Sequence, residues 1–334
     1  MVDTGANYRP EGQRCFRVAN RPIQQRATQW PTVFVILGVY GGFAGLTLFH
    51  RSNPWYVTVV GLAVISAWHG SLQHELLHGN GVRNRLVADA LASFTMNLWM
   101  PYADYRNSHL EHHRDDRLTD PYDDPESTYR SGAEWMSLSA PWRAVLWVNR
   151  TLVGRMTIGP LIAFCRYLRQ QIIAVAKGTG TARRIWAIQS MAIVITAVWV
   201  LGVCRLPWWE FALGSIYGGT SLTLVRSFAE HTWAPTIGGR TAIVGSQGFF
   251  ALLFLNNNLH VTHHARPEVA WFELPSLTRT HPEYGEIAAD GAGKFRSYTE
   301  LFIRYAVRPK CQPASPADVG ALPRPQFKRL GVRA

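Results

Sequence analysis

Cysteine is scarce in this chain and follows no pattern. Its four residues, Cys15, Cys165, Cys204 and Cys311, include no C-x-x-C pair, so neither a disulfide framework nor a thiolate metal site is indicated. Acidic residues are in deficit: 22 Asp and Glu stand against 34 Lys and Arg, a formal charge of +12 over 334 residues. Such a surplus implies an anionic partner, whether nucleic acid, anionic lipid or an acidic protein. No nucleic-acid-binding motif occurs, and 13 tryptophans together with long apolar runs favour the membrane. The opening residues, "MVDTGANYRPEGQRCFRVANRP", lack the apolar core of a signal peptide, so no cleaved targeting segment is expected. Internal repeats are lacking too. Mean hydropathy is only -0.05, which suits a few spans beneath a large polar cap better than a fully embedded bundle.

Four stretches are long and apolar enough to cross a bilayer, which takes about 20 residues. They are 31–49, 55–72 (interrupted only by His69), 185–204 and 206–225 (with Glu210 near its start). The short links "HRSNP" and "RLP" pair them into two hairpins. Basic residues set the orientation. Arg9, Arg14, Arg17, Arg21 and Arg26 precede the first span, and residues 73–184 carry many more, whereas the hairpin links hold only Arg51 and Arg205. Both termini and the long middle segment are therefore expected in the cytoplasm. The apolar runs 86–100 and 242–255 are short for a span and are expected to be interfacial or re-entrant. Residues 139–176, with arginines among apolar residues, read as amphipathic helices on the anionic leaflet. The predicted fold is an all-α integral membrane protein: four transmembrane helices in two hairpins under a cytoplasmic, histidine-rich helical cap. Residues 1–30 form a cytoplasmic N-terminal segment, 31–280 the membrane domain and 281–334 a cytoplasmic tail, irregular after Pro309.

Nine of the 12 histidines fall into four groups. These are His74 and His78 in "HELLH"; His109, His112 and His113 in "HLEHH"; His231 in "SFAEH"; and His260, His263 and His264 in "HVTHH". Positions i, i+3 and i+4 share a helical face, so each group aims its imidazoles in one direction. A helix from residue 55 to His78 runs about 36 Å at 1.5 Å per residue, against a hydrocarbon core of about 30 Å. His74 and His78 should sit just above the cytoplasmic edge, with His231 at a similar height. The remaining histidines, His50, His69 and His281, read as structural. Taken alone, "HELLH" fits the helical zinc motif H-E-x-x-H, with Glu75 activating water. A mononuclear zinc hydrolase, however, uses three protein ligands and an open position, and nine convergent imidazoles suit two metals, iron well among them. Glu75, Glu111 and Glu230 would then accept N–H bonds from ligand histidines.

The boxes H-x-x-x-H, H-x-x-H-H and H-x-x-H-H, in that order over residues 55 to 280, resemble the membrane fatty acid desaturase family. "HLEHHRDDRLTDPYDDPES" and "NNNLHVTHHARPEVAWFELP" are similar to its bacterial members. The resemblance implies a four-helix membrane fold, a bacterial inner-membrane location and a di-iron centre held by the nine histidines. His231 matches the additional histidine of acyl-CoA desaturases. Where those relatives place Asn four residues earlier, this chain has Ser227, and Asn257, three residues before His260, is a candidate substitute. The implied reaction consumes O2 and two external electrons and desaturates an acyl chain or related amphiphile. No flavin, nicotinamide or Fe–S motif is present, so a separate donor, ferredoxin-like and docking on the basic face, is implied. A hydroxylase or ketolase on the same scaffold, such as a carotenoid-modifying enzyme, is the alternative. A non-catalytic membrane metal- or haem-binding protein or transporter is a third reading.

Overall fold

A computed structural model describes residues 28–114, 117–178 and 180–319; the basic residues expected ahead of the first span, and Cys15, lie outside the described residues. The chain is mostly helical. In order, its helices are α1 Trp30–Leu48, α2 Trp55–Leu77, α3 Arg85–Ser93, α4 Tyr102–Arg114, α5 Gly132–Ser137, α6 Ala140–Val148, α7 Leu152–Thr157, α8 Gly159–Ala176, α9 Gly180–Ala197, α10 Trp208–Phe211, α11 Gly219–Glu230, α12 Phe249–Leu253, α13 His260–Ala265, α14 Leu274–Thr280, α15 Glu283–Ala289, α16 Tyr298–Tyr305 and α17 Pro316–Val319. Two short strands, β1 Ile243–Val244 and β2 Lys294–Phe295, pair in parallel.

Three helices are long and apolar enough to cross a membrane: Trp30–Leu48, Trp55–Leu77 and Gly180–Val203, the last ending in a π-helical stretch, Val198–Val203. Their outward faces are apolar, with Phe34, Leu37, Met191 and Val194 all exposed; an apolar surface of this kind is stable against lipid and unfavourable against water. The run expected to be the fourth span is not among these three and is a broken helix. Trp208–Phe211, a π-helical stretch Ala212–Gly218 and Gly219–Glu230 follow one another without a gap, about 34 Å of helix at 1.5 Å per residue.

That fourth run lies against α2 at van der Waals distance because its contact residues are small. A Cβ on Gly214 would stand 2.7 Å from the carbonyl oxygen of Val59, one on Gly218 2.7 Å from Ala63 Cβ, and one on Gly219 2.5 Å from Ser66 Cβ. Small residues at such a seam let two backbones approach closely where no hydrophobic force drives them together. The seam carries the two helices whose C-terminal ends bear His74 and His231. Gly219→Val is therefore expected to separate them, destabilising the protein by about 1–3 kcal/mol and lowering its metal content. Thermal unfolding and metal analysis of the purified variant check this, and unchanged values would refute it.

Neither short apolar run forms a long helix. In the first, α3 ends at Ser93, and Phe94 to Pro101 has no regular structure, with Leu98 at φ 63. Side chains of the neighbouring helices answer several of its carbonyls. Thr196 Oγ1 donates to Thr95 O (3.0 Å), Ser215 Oγ to Met96 O (2.9 Å) and Gln189 Nε2 to Leu98 O (2.8 Å). At the end of α3, Tyr40 Oη donates to Leu91 O (2.6 Å) and Gln73 Nε2 to Ala92 O (2.7 Å). Irregular backbone is tolerated at membrane depth only where protein groups satisfy it in this way. The second run folds as β1, a Gly248 turn at φ 76 and the single turn α12.

The chain does not leave this body at residue 280. Phe295, Tyr298 and Leu301 pack in one buried cluster with Phe228, Ala229 and Phe254. Even the Pro-rich stretch after Pro309 is tied down as far as residue 315: Arg130 N donates to Pro313 O and Ser315 N to Arg130 O. Composition pointed to an irregular tail, and residues 309–315 form no helix or strand; backbone pairing with residue 130 and the bonds of Lys310 to the end of α11 nonetheless hold that stretch against the body.

Candidate metal centre

Each histidine arrives on an element with a local reason to be where it is. α2 runs one turn past its apolar stretch to present His74, and stops at His78 because Gly79 takes φ 83 and breaks the helix. α4 places His109, His112 and His113 on one buried face. His231 is the first residue beyond α11, extended at φ −125 and ψ 137 and bridged to Thr241. The short helix α13 follows Leu255 and Asn256, both with positive φ, a tight turn that brings His260, His263 and His264 inward.

The nine imidazoles divide into two groups that share no residue. His74, His78, His109, His113 and His263 form one and His112, His231, His260 and His264 the other, the ligand atoms within each group lying no more than 4.8 Å apart. The division follows from helix geometry. Residues i and i+4 lie about 40° apart around the axis, while i+3 falls about 60° to the other side. α4 gives its i, i+4 pair, His109 and His113, to the first group and His112 to the second. α13 does the reverse, giving His260 and His264 to the second and His263 to the first. The rings of His113 and His264 stack at 4.1 Å where the groups meet.

In four of the rings the outer nitrogen is held. Nδ1–H of His109 donates to Glu126 Oε1 (2.9 Å), that of His112 to Asp124 Oδ1 (2.8 Å), that of His231 to the carbonyl of Arg240 (3.2 Å) and that of His260 to Asn257 Oδ1 (3.3 Å). With the proton fixed at Nδ1, a neutral imidazole turns the Nε2 lone pair inward. Those inward nitrogens nearly touch: His112 to His231 at 3.1 Å, His231 to His260 at 2.9 Å and His260 to His264 at 3.1 Å. In the other group His113 Nε2 stands 3.0 Å from His109 Nε2 and 3.2 Å from His263 Nε2. Converging lone pairs repel one another unless a cation stands among them. Metal–nitrogen bonds of about 2.0–2.1 Å at right angles would put ligand nitrogens roughly 3 Å apart, as here. His74 Nε2 and His78 Nε2 are buried with no hydrogen-bond partner, a need that ligation to a metal would meet. The residues present therefore fit two metal ions.

Electrostatics agree. Burial, with neighbouring imidazoles adding to it, pushes His113, His260, His263 and His264 well below the usual histidine pKa, so they are neutral and able to bind metal at pH 7. Burial opposes charge on His112 as well, but Glu126 and Asp124 outweigh it and raise its pKa to about 9. That pull favours positive charge at His112, and a metal ion on Nε2 answers it as a proton would.

The carboxylates expected beside the histidines behave differently from one another. Glu230 Oε1 accepts Asn257 Nδ2–H (2.7 Å), pairs with Arg226 Nε (3.1 Å) and lies 3.6 Å from His260 Nδ1, so Glu230 and Asn257 together orient His260. Ser227 Oγ donates to Leu224 O within its own helix. Glu75 is buried, and its Oε1 accepts the backbone N–H of Trp271 (3.0 Å), tying α2 to the segment after α13. Glu111 departs from expectation. It is exposed, about 200° around α4 from His109, and among the described residues no imidazole donates to it. Asp124 and Glu126 take that role instead. They lie in a loop, where helical periodicity gives no bearing; the acidic run "DPYDDPE" after the second box was the available signal. The carbonyl of Arg240 carried no signal at all.

Loss of the supporting carboxylate should cost metal affinity about 10–100-fold. Glu126→Ala is expected to weaken metal binding by that factor, and Glu111→Ala to leave it unchanged. Anaerobic metal titration of both variants separates the two roles, and equal effects would refute the distinction.

Against curated proteins no sequence match is found. A family model described as "Fatty acid desaturase" matches residues 52–292, a stretch that contains all nine histidines and ends in the turn before β2. The chain belongs to the fatty acid desaturase family.

Proposed function

We propose that the protein is an O2-dependent di-iron desaturase that introduces a double bond into an acyl chain or related amphiphile. The observation that supports this most directly is the sorting of nine imidazoles, seven of them buried and His78 and His231 half-buried, into a five and a four with no shared residue. A mononuclear hydrolase needs three ligands, and the carboxylate it would need as base, Glu75, is engaged by Trp271 N–H. Unactivated C–H bonds yield to no side-chain base; O2 would be the oxidant, two irons held here would activate it, and with two external electrons and two protons it would take the substrate's two hydrogens and end as two waters. The chain's own part is to keep His113, His260, His263 and His264 neutral by burial, to balance with Asp124 and Glu126 the charge a metal would place on His112, and to fix the Nδ1 protons of His109, His112, His231 and His260.

In this reading all nine histidines are iron ligands, and the run from Trp208 to Glu230 is the fourth span. Both termini and the histidine-bearing helices face the cytoplasm of a bacterial inner membrane. Electrons come from a ferredoxin-like donor on the basic cytoplasmic face. The test is product analysis by mass spectrometry after expression with a reductase system and candidate lipids. Loss of two hydrogens from the substrate is expected; gain of one oxygen would make the protein a hydroxylase instead.

A further inference from the structure

Away from the histidines, two buried arginines, Arg150 and Arg155, and the half-buried Lys310 gather where α6, α7 and the segment after α16 meet. Arg150 donates from Nη1 to Thr128 Oγ1 (2.8 Å) and from Nη2 to Thr128 O (2.9 Å), with its guanidinium 4.5 Å over the Tyr129 ring. Lys310 Nζ donates to the carbonyls of Phe228 (2.8 Å) and Ala229 (2.9 Å) at the end of α11. Both cations are thus solvated by neutral acceptors, and neither is neutralised by them. Arg155 has less. It is 6% exposed, its Nε has no partner, and among the described residues its guanidinium makes no hydrogen bond. The groups acting on it electrostatically are Arg150, Cys311 and Tyr129, with no carboxylate among them. Asn149 Oδ1, also buried and unpaired, lies beside it: a Cβ on Gly159 would stand 3.1 Å from that oxygen and 3.3 Å from Arg155 Cδ.

An unpaired guanidinium among like charges is costly to bury, and an anion is what would offset it. The surroundings say which kind. Val153 N donates to Ala306 O (3.0 Å) and Lys310 N to Arg150 O (2.8 Å), so α7 and the end of α16 form one surface. On that surface Val148, Val153, Phe302, Ile303 and Val307 are all exposed. Met156 O and Thr157 O accept hydrogen bonds from Ser221 and Tyr217, which places α7 alongside the apolar run Trp208 to Glu230. A buried basic cluster beside an apolar helical run, on an element whose outer side chains are apolar and exposed, matches a lipid headgroup with its chains.

We propose that Arg155, backed by Arg150 and Lys310, binds the phosphate of a membrane phospholipid whose chains lie over Val153, Ile303 and Val307. None of these residues belongs to the metal centre, so the site stands or falls independently of the oxidative reading.

The test is a titration of the delipidated, metal-loaded protein with dihexanoyl phosphatidic acid, followed by native mass spectrometry, with inorganic phosphate and dihexanoylglycerol as separate arms. One phosphatidic acid per chain should bind, at least tenfold more tightly than either control. Arg155→Gln should weaken it at least tenfold and Ile303→Glu several-fold, both keeping the metal content of the unaltered chain. Undiminished binding to Arg155→Gln would overturn the site, as would diacylglycerol binding as tightly as phosphatidic acid. Inorganic phosphate binding as tightly as the lipid would overturn the lipid assignment. Should Arg155→Gln fail to fold, undiminished binding to Ile303→Glu, altered at a position 77% exposed, overturns the proposal instead.

Discussion

Purified anaerobically, the protein is expected to carry close to two irons per chain, and single substitutions should remove them one at a time. The five-histidine and four-histidine groups have no imidazole in common, so damage to one leaves the other a full ligand set. His260→Ala removes the ring that stands within 3.1 Å of both His231 and His264, and should lower the content to about one. His74→Ala should do the same from the other side. Activity should be lost in both, by three orders of magnitude or more, because oxidation in the proposed reading needs both ions. Chelation under reducing conditions should lower the unfolding temperature by several degrees, since ligand bound only to the folded state adds to its stability and the bare lone pairs at 2.9–3.2 Å would be left facing one another. Iron counts by mass spectrometry decide the matter. One stoichiometric zinc, or simultaneous loss of both metals from either variant, would defeat the two-ion reading.

The sequence made some of this legible and concealed the rest for identifiable reasons. Charge-free stretches 31–49 and 185–204 coincide to within a residue with Trp30–Leu48 and the part of Gly180–Val203 beyond Arg184, because a helix in lipid must be apolar over the depth of the hydrocarbon. The helix of the second span runs on past its apolar stretch to Leu77, as the reach to His78 required, and Gln73, His74 and Glu75 in that extension are polar yet buried against protein. The run 206–225 is apolar enough, but no periodicity announces the π-helical stretch that Gly214 and Gly218 accommodate. Convergence of the histidines could be read from i, i+3, i+4 spacing; their allotment could not. That depends on α4 and α13 presenting opposite sides of the same pattern, a matter of how two helices dock. Glu111 was misplaced by proximity in sequence, which on a helix means little at a separation of two residues. Asp124 and Glu126 reach His112 and His109 by a loop whose path is fixed partly by its own hydrogen bonds, Asp124 accepting Thr119 N and Glu126 N.

Every chemical statement above requires the nine histidines to lie on one side of the membrane, and labelling of intact cells should show that they do. Single cysteines at Gly81, Arg117 and Pro235, in a chain otherwise free of cysteine, are expected to resist an impermeant thiol reagent applied from outside, whereas one at Ser52, in the link between α1 and α2, should react. The two short apolar runs carry the argument. A crossing at either would set histidine groups apart by about 30 Å of hydrocarbon, whereas their Nε2 atoms lie as little as 2.9 Å from one another. The run 86–100 cannot cross as a helix, because α3 ends at Ser93 and the carbonyls beyond it are bound to side chains of the surrounding helices. To thread it across the bilayer would break the bonds from Thr196, Ser215 and Gln189 and leave polar backbone in lipid at several kcal/mol for each group. Loss of those donors should therefore matter: Ser215→Ala combined with Thr196→Val is expected to destabilise the protein by roughly 2–4 kcal/mol, about 1–2 for each carbonyl left unpaired. Labelling at Arg117 alone from outside would place the second histidine box across the membrane from the first, and a shared metal centre would then be impossible.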